Sequence, residues 1–157
     1  MQTLYHGTGL ETIFAIARAG AILSPLERKT ERLKSFNRSP EEFKKIFGKN
    51  IEELAFIMAT SPYQERQLMR AQTVSMARVL HHAIGYADSN QGGAVLGIEF
   101  DDVLPKELNA IERIVIFIPK KVVLTRLKEI HISPEAKNYE QLIREAYAKY
   151  NPNYFYL

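Results

Sequence analysis

A short apolar run closed by His6 predicts a strand over residues 2–6. Helical spacing follows over 10–19, with Ile13 and Ile16 on the apolar face and Gly20 as the C-terminal cap. Residues 24–39 are polar and aperiodic, which predicts an irregular loop. Ser39-Pro40-Glu41-Glu42 then carries a helix-start signature: Ser39 as N-cap, Pro40 in the first turn, and Glu42 three residues past the cap. Phe43, Ile46 and Phe47 give that helix its apolar face, and Gly48 ends it. The apolar run Leu54 to Thr60 predicts a strand, and Ser61-Pro62 the start of a long helix reaching about Tyr86. Within it Met69, Met76, Val79, Leu80 and Ile84 recur at helical spacing and read as core. Residues 88–93 form a turn, and strands are expected over 94–100, 111–118, 122–124 and 126–132. Ser133-Pro134-Glu135 opens a C-terminal helix over about 134–150, with Leu142, Ile143, Ala146 and Tyr150 as its packing stripe. The aromatic tail Tyr154-Phe155-Tyr156-Leu157 is expected to dock on its own domain.

Strands crowd into the second half and do not alternate with helices, so the expected class is α+β with an antiparallel or mixed sheet. The 157 residues, 46% hydrophobic and 25% charged, suit one domain over 1–157. No apolar run approaches the roughly 18 residues that span a bilayer. With no charged-then-apolar leader before the first strand, a cytoplasmic protein without membrane attachment is expected. The absence of cysteine excludes disulfides, thiolate metal sites and cysteine nucleophiles. His81 and His82 are adjacent on a helix and point about 100° apart, a poor metal chelate, and no metal site is expected.

Charge changes the picture in one place. The basic insert at about 24–50 holds eight Lys or Arg against four Glu, a net of +4. Mixed signs read as a solvated helix face. Nucleic acid or an acidic protein is the alternative partner, although the segment reads as lacking the interleaved aromatics that single-strand binders use as base platforms.

Two segments carry candidate chemistry. In Leu4-Tyr5-His6-Gly7-Thr8 a strand delivers a histidine beside a glycine, whose missing side chain lets the backbone approach a ligand. In Glu112-Arg113-Ile114-Val115-Ile116-Phe117-Ile118-Pro119 a glutamate opens a buried strand that ends at proline. Together these segments resemble the ADP-ribosyltransferase family, in its poly(ADP-ribose) polymerase-like or diphtheria-toxin-like branch. That family's first motif is similar to Leu4 to Gly20 and its last to Glu112 to Phe117, with Arg113 in an aromatic place. Its middle motif, a strand leading into a helix, resembles Phe56-Ile57-Met58-Ala59-Thr60-Ser61, and its next core strand resembles Gly92 to Phe100.

The resemblance implies an ADP-ribosyltransferase-like split sheet with flanking helices. It implies NAD as a substrate, without metal, and ADP-ribose transfer to a macromolecular acceptor, protein or nucleic acid, with release of nicotinamide. It assigns the catalytic carboxylate to Glu112, a ribose contact to His6, the carboxamide contact to the Gly7 backbone, and a cleft-lining hydroxyl to Thr8. The place of the nicotinamide-stacking tyrosine falls on Ile57, and that of the second aromatic near Leu68, so Phe56 or Tyr63 is the substitute ring. These losses leave a catalytically inactive nucleotide- or protein-binding relative as the first alternative and a nucleic-acid-binding domain as the second. Tyr5, not arginine, precedes His6, which argues against the related RNA 2′-phosphotransferases.

Arginine-modifying toxins of the superfamily carry Glu or Gln two residues before the catalytic glutamate, where this chain has Ala110. Free arginine analogues are therefore expected to accept little ADP-ribose. Labelling of agmatine with radioactive NAD checks this, and efficient labelling refutes it.

Overall fold

The strand that opens the chain, β1 (Gln2–Gly9), runs antiparallel to β4 (Gly93–Phe100) along its full length, from Gln2 opposite Phe100 to Gly9 opposite Gly93. The structure is a computed structural model and describes residues 1–61, 68–89, 92–101 and 114–157, with the backbone alone at Asp88 and Ser89. Its six-stranded sheet has the order β5-β3-β1-β4-β7-β8, where β3 is Thr73–Ala77, β5 Val115–Pro119, β7 Leu127–Ile132 and β8 Asn153–Tyr156. β3 and β7 flank the central pair antiparallel, and β8 joins β7 in parallel. The class is α+β with a mixed sheet and flanking helices.

The described chain divides into two compact units. The first comprises residues 1–22, 75–117 and 123–157 and holds most of the sheet. Side chains alternate across its strands. Leu4, Leu96, Ile98, Ile130 and Ile132 are all buried. Each such burial is worth about 1.5–3 kcal/mol. Helix α1 (Leu10–Ala19) packs on β1 and β4 and buries Ile13 and Ile16. It stops at Gly20, whose φ of 70° is a left-handed cap. Helix α7 (Glu140–Tyr147) packs on α1 and buries Ile143 and Tyr147. Leu142, expected in that stripe, is half in water at 53% exposure. The aromatic tail docks on its own domain as β8, where the Arg144 guanidinium lies 4.1 Å over the Tyr154 ring and the Leu157 N–H donates to Ile132 O.

The second unit, residues 23–74 and 118–122, is mainly helical. Leu33, Phe43 and Ala55 form its buried centre, with Leu26, Ile51, Leu54 and Met58 around them. The chain passes from one unit to the other within β2 (Ala21–Leu23), β3, β5 and β6 (Lys121–Val123), and β2 pairs with β6.

Three expectations are corrected here. Residues 24–39 are not a loop, because Pro25–Lys34 form helix α2, with Ser24 Oγ accepting the Glu27 N–H. The apolar run at 54–60 is no strand. It lies in helix α4 (Ile51–Thr60), capped by Asn50 through the Glu53 N–H, with Ala55 and Ala59 one turn apart and buried. The long helix to Tyr86 is not continuous, since a short α5 (Met69–Gln72) gives way to β3, and helix α6 (Leu80–Ser89) follows. Met76 is core as expected, but from a strand, while Met69 and Val79 are exposed. The predicted helix at Ser39 forms as α3 (Pro40–Phe47), ended by Gly48 at φ 74°.

Tyr147 donates its phenol proton to the Ile13 carbonyl and so ties α7 to α1. Burial, then the nearby Tyr150 and Tyr154, push this phenol well above the ordinary tyrosine range. The folded state therefore holds the proton more tightly than the unfolded chain. The associated stability is full below about pH 10 and is lost as pH rises above it. Tyr147→Phe is expected to cost about 1 kcal/mol at neutral pH and to flatten the decline in urea midpoint above about pH 10. An unchanged alkaline slope would show that this phenol does not carry it.

Candidate functional site

His6 is the polar residue that β1 places most distinctively. Its register neighbour on β3 follows from the Tyr5–Ala77 pair, the one backbone bridge between these strands among the described residues. One step past that bridge a side chain takes over: His6 Nδ1 lies 3.0 Å from the Ser75 carbonyl oxygen. A carbonyl can only accept, so Nδ1 carries the proton, and in the neutral ring Nε2 is the acceptor nitrogen. The ring is half-buried and held in one orientation.

Gly7 has a different reason to be glycine from the one expected. A Cβ built there would meet the Ala83 carbonyl oxygen of α6 at 2.0 Å and the Ala87 nitrogen at 2.9 Å. The space above its α-carbon is taken by helix backbone, not left for a ligand. Thr8 lies opposite Ala94, on the same side of β1 as His6, and is buried. Leu4, His6 and Thr8 thus form one row on one face.

Glu112, Tyr63 and Ala110 lie outside the described residues. The chain resumes at Ile114, whose carbonyl accepts the Arg78 N–H at 2.9 Å, and enters β5 directly. Ile57 lies on a helix where a strand was expected. It sits on α4 in the helical unit, 45% exposed, because the Asn50 cap and the Ala55/Ala59 spacing make this run a helix. Phe56 belongs to the same helix and is also exposed. β1 lies between β4 and β3, and β3, Thr-Val-Ser-Met-Ala, carries no aromatic residue.

A second polar group escaped the sequence reading. His131 is buried on β7, its Nε2 2.8 Å from Glu129 Oε2. The Phe155 ring of β8 stacks on it at 4.9 Å, and Tyr5 meets it edge-on at 6.2 Å. Burial, then the Glu129 charge, raise the Tyr5 phenol above its ordinary range. Gly97 makes room beneath: a Cβ there would lie 3.2 Å from Glu129 Oε2 and from Tyr5 Cε1. The signal was the alternation Lys128-Glu129-Ile130-His131-Ile132, which puts a carboxylate and an imidazole on one face. The group is filled by its own side chains and anchors β8. His81 and His82 are both exposed on α6. Among the described residues no three His, Asp or Glu converge as metal ligands, and no helix is long and apolar enough to cross a membrane.

No protein-family model matches the chain, and a search of curated proteins finds no match.

Gly7→Ala forces a methyl group into α6 backbone, which no rotamer change relieves. It is expected to cost about 3 kcal/mol or more, the upper range for overpacking. Urea denaturation checks this, with faster amide exchange in α6. A variant as stable as the parent would mean that α6 does not lie against β1 at this point.

Proposed function

We propose that the chain is a cytoplasmic NAD-dependent mono-ADP-ribosyltransferase with an ADP-ribosyltransferase-like split sheet, releasing nicotinamide as it modifies a macromolecule. One observation carries the reading: the His6 imidazole, fixed by Ser75 O where the backbone pairing of β1 with β3 ends. A ring oriented in this way can hold a ribose hydroxyl in a set direction. Two further features support it. β5, the strand that follows the Glu112 segment, belongs to the same sheet as β1 and β3. The strand and helix of the first motif form as β1 and α1 and the next core strand as β4, whereas the middle motif lies in helix α4.

In this reaction the bond between ribose C1′ and the nicotinamide nitrogen breaks, and its electron pair leaves with nicotinamide. An acceptor oxygen or nitrogen attacks C1′ and loses its proton. Positive charge grows on the ribose ring, as in glycoside hydrolysis. A carboxylate beside that ring stabilises the charge, and this is the role of Glu112. In this reading His6 holds a ribose hydroxyl, and the strand edge of the Gly7 backbone, not its filled α-carbon face, holds the carboxamide. Tyr63 lines the cleft, and Thr8, buried on the His6 face, backs it from within.

A specific observation favours a second reading. With the 54–60 run in helix α4 and β3 bare of aromatics, β3 offers nicotinamide no stacking ring. An aromatic pair contributes about 0.5–1.5 kcal/mol beyond its burial. Its loss weakens NAD binding and fits a relative that binds a nucleotide without turning it over. Incubation with labelled NAD separates the two: nicotinamide release supports the transferase, and binding without release supports the inactive relative.

Glu112→Gln is expected to keep the fold and the NAD affinity while slowing nicotinamide release by on the order of 10²–10³. His6→Ala is expected to act mainly through weaker NAD binding, because its partner hydroxyl is remote from the breaking bond. Steady-state kinetics and calorimetry measure both effects. Full nicotinamide release by Glu112→Gln would remove the carboxylate from the mechanism.

A further inference from the structure

Charge is divided unevenly between the two units. The helical unit carries twelve Lys or Arg against seven acidic residues, net +5, and the sheet unit nine against eleven, net −2. Within the helical unit α3 has its signs sorted along the helix, whereas α2 mixes them. Glu41 and Glu42 begin α3, Glu52 and Glu53 begin α4, while Arg32 and Lys34 end α2 and Lys44 and Lys45 end α3. Helix dipoles account for that sorting. They do not account for what lies among the bases.

Phe36, just after α2, is 52% exposed, and Phe47, at the end of α3, is 43% exposed. Their rings stack at 6.3 Å with planes 24° apart, and Ile46 beside them is exposed too. Phe47 in turn rests on buried Phe43 at 4.6 Å, so the ring pair stands on the core of its own unit. Residues 32–40 contribute Arg32, Lys34 and Arg38, and residues 43–51 contribute Lys44, Lys45 and Lys49, with no acid in either stretch. Arg38, Lys44, Lys45 and Lys49 are exposed and join no ion pair among the described residues. The aromatics expected to be missing from this basic segment are therefore present, brought together from two elements.

We infer that the Phe36–Phe47 ring pair and the cations Arg38, Lys44, Lys45 and Lys49 form a docking surface for single-stranded nucleic acid. Every unpaired base offers a flat face to a ring, and its phosphates suit unpaired lysine and arginine. A bilayer fits less well, because α3 begins with two glutamates and cannot lie flat on anionic headgroups. An acidic protein would use the cations and leave the rings idle. The inference deepens the transferase reading by naming the acceptor class, and its test needs neither NAD nor turnover.

The test is fluorescence anisotropy with a labelled oligothymidylate of about 20 nucleotides, a duplex of equal length, a polyglutamate peptide and phosphatidylserine vesicles. Oligothymidylate is expected to bind, with log K falling against log salt by about 0.7 per phosphate neutralised. Phe36→Leu keeps an apolar side chain but removes the ring. It is expected to weaken oligothymidylate binding about tenfold or more, with the salt slope and the duplex affinity unchanged. Replacing Lys44, Lys45 and Lys49 together by Gln should flatten the slope by about two. Absence of oligothymidylate binding at low salt overturns the inference, as does binding indifferent to Phe36→Leu. Tighter binding of vesicles or polyglutamate overturns it as well. Nicotinamide release by the same samples, scored separately, tells failure of this surface from failure of the transferase reading.

Discussion

The sheet unit is organised by one contact between backbones. Helix α6 lies so close to β1 that the Ala83 carbonyl occupies the place of a side chain at residue 7, which only glycine leaves open. The same economy recurs across the ladder, where a Cβ at Gly93 would collide with the Thr8 carbonyl at 1.8 Å. With α6 seated there, Ala83 and Ala87 pack with Tyr5, Ala77 and Val95 on one side of the sheet. Leu4, His6 and Thr8 then face the other side, by alternation alone. The position of His6 is thus a consequence of where α6 must sit, before any ligand is considered.

That constraint also separates the two histidine environments in the sheet. His131 is enclosed: Glu129 takes its Nε2, Phe155 covers its ring, and Tyr5 closes the edge. Such a satisfied group secures β8, the edge strand, to β7. His6 is half-buried, and its Nδ1 bond to Ser75 O fixes the tautomer as well as the ring. The two imidazoles thus differ in exposure and in the neighbour that orients each ring.

Much of this was legible where local chemistry and tertiary packing agree. β1, α1 with its Gly20 cap, α3 between Ser39 and Gly48, and β4 all follow from apolar spacing and end signals. The misread elements were ambiguous for a physical reason. Leu54 to Thr60 is a short apolar run, and periodicity alone does not tell a buried strand from a helix at that length. The deciding signal stood just upstream, in Asn50 and Glu53. Ser24-Pro25 with Glu27 repeats the signature that located α3, yet the sparse apolar residues after it hid α2. Over 61–86 the methionine spacing favoured a helix, while β-branched Thr73 and Val74 mark the strand that forms. The ring pair on the helical unit was invisible for another reason: Phe36 and Phe47 are eleven positions apart, on elements whose approach depends on the Leu33–Phe43–Ala55 centre.

The misplaced strand bears on the chemistry. With β3, not 54–60, beside β1, the residue across from His6 by register is Met76, fully buried, and the next along is Ser75, whose carbonyl the imidazole already engages. Neither offers a flat ring to nicotinamide. A thioether is polarisable and packs against aromatic faces, at about 0.3–1.5 kcal/mol. Met76 could do this only by giving up its burial. In the proposed reading, then, nicotinamide would be held by groups other than the β3 side chains opposite His6. Under that reading the affinity for NAD would depend on few groups, and the barrier to turnover would be lowered chiefly by electrostatics at the ribose.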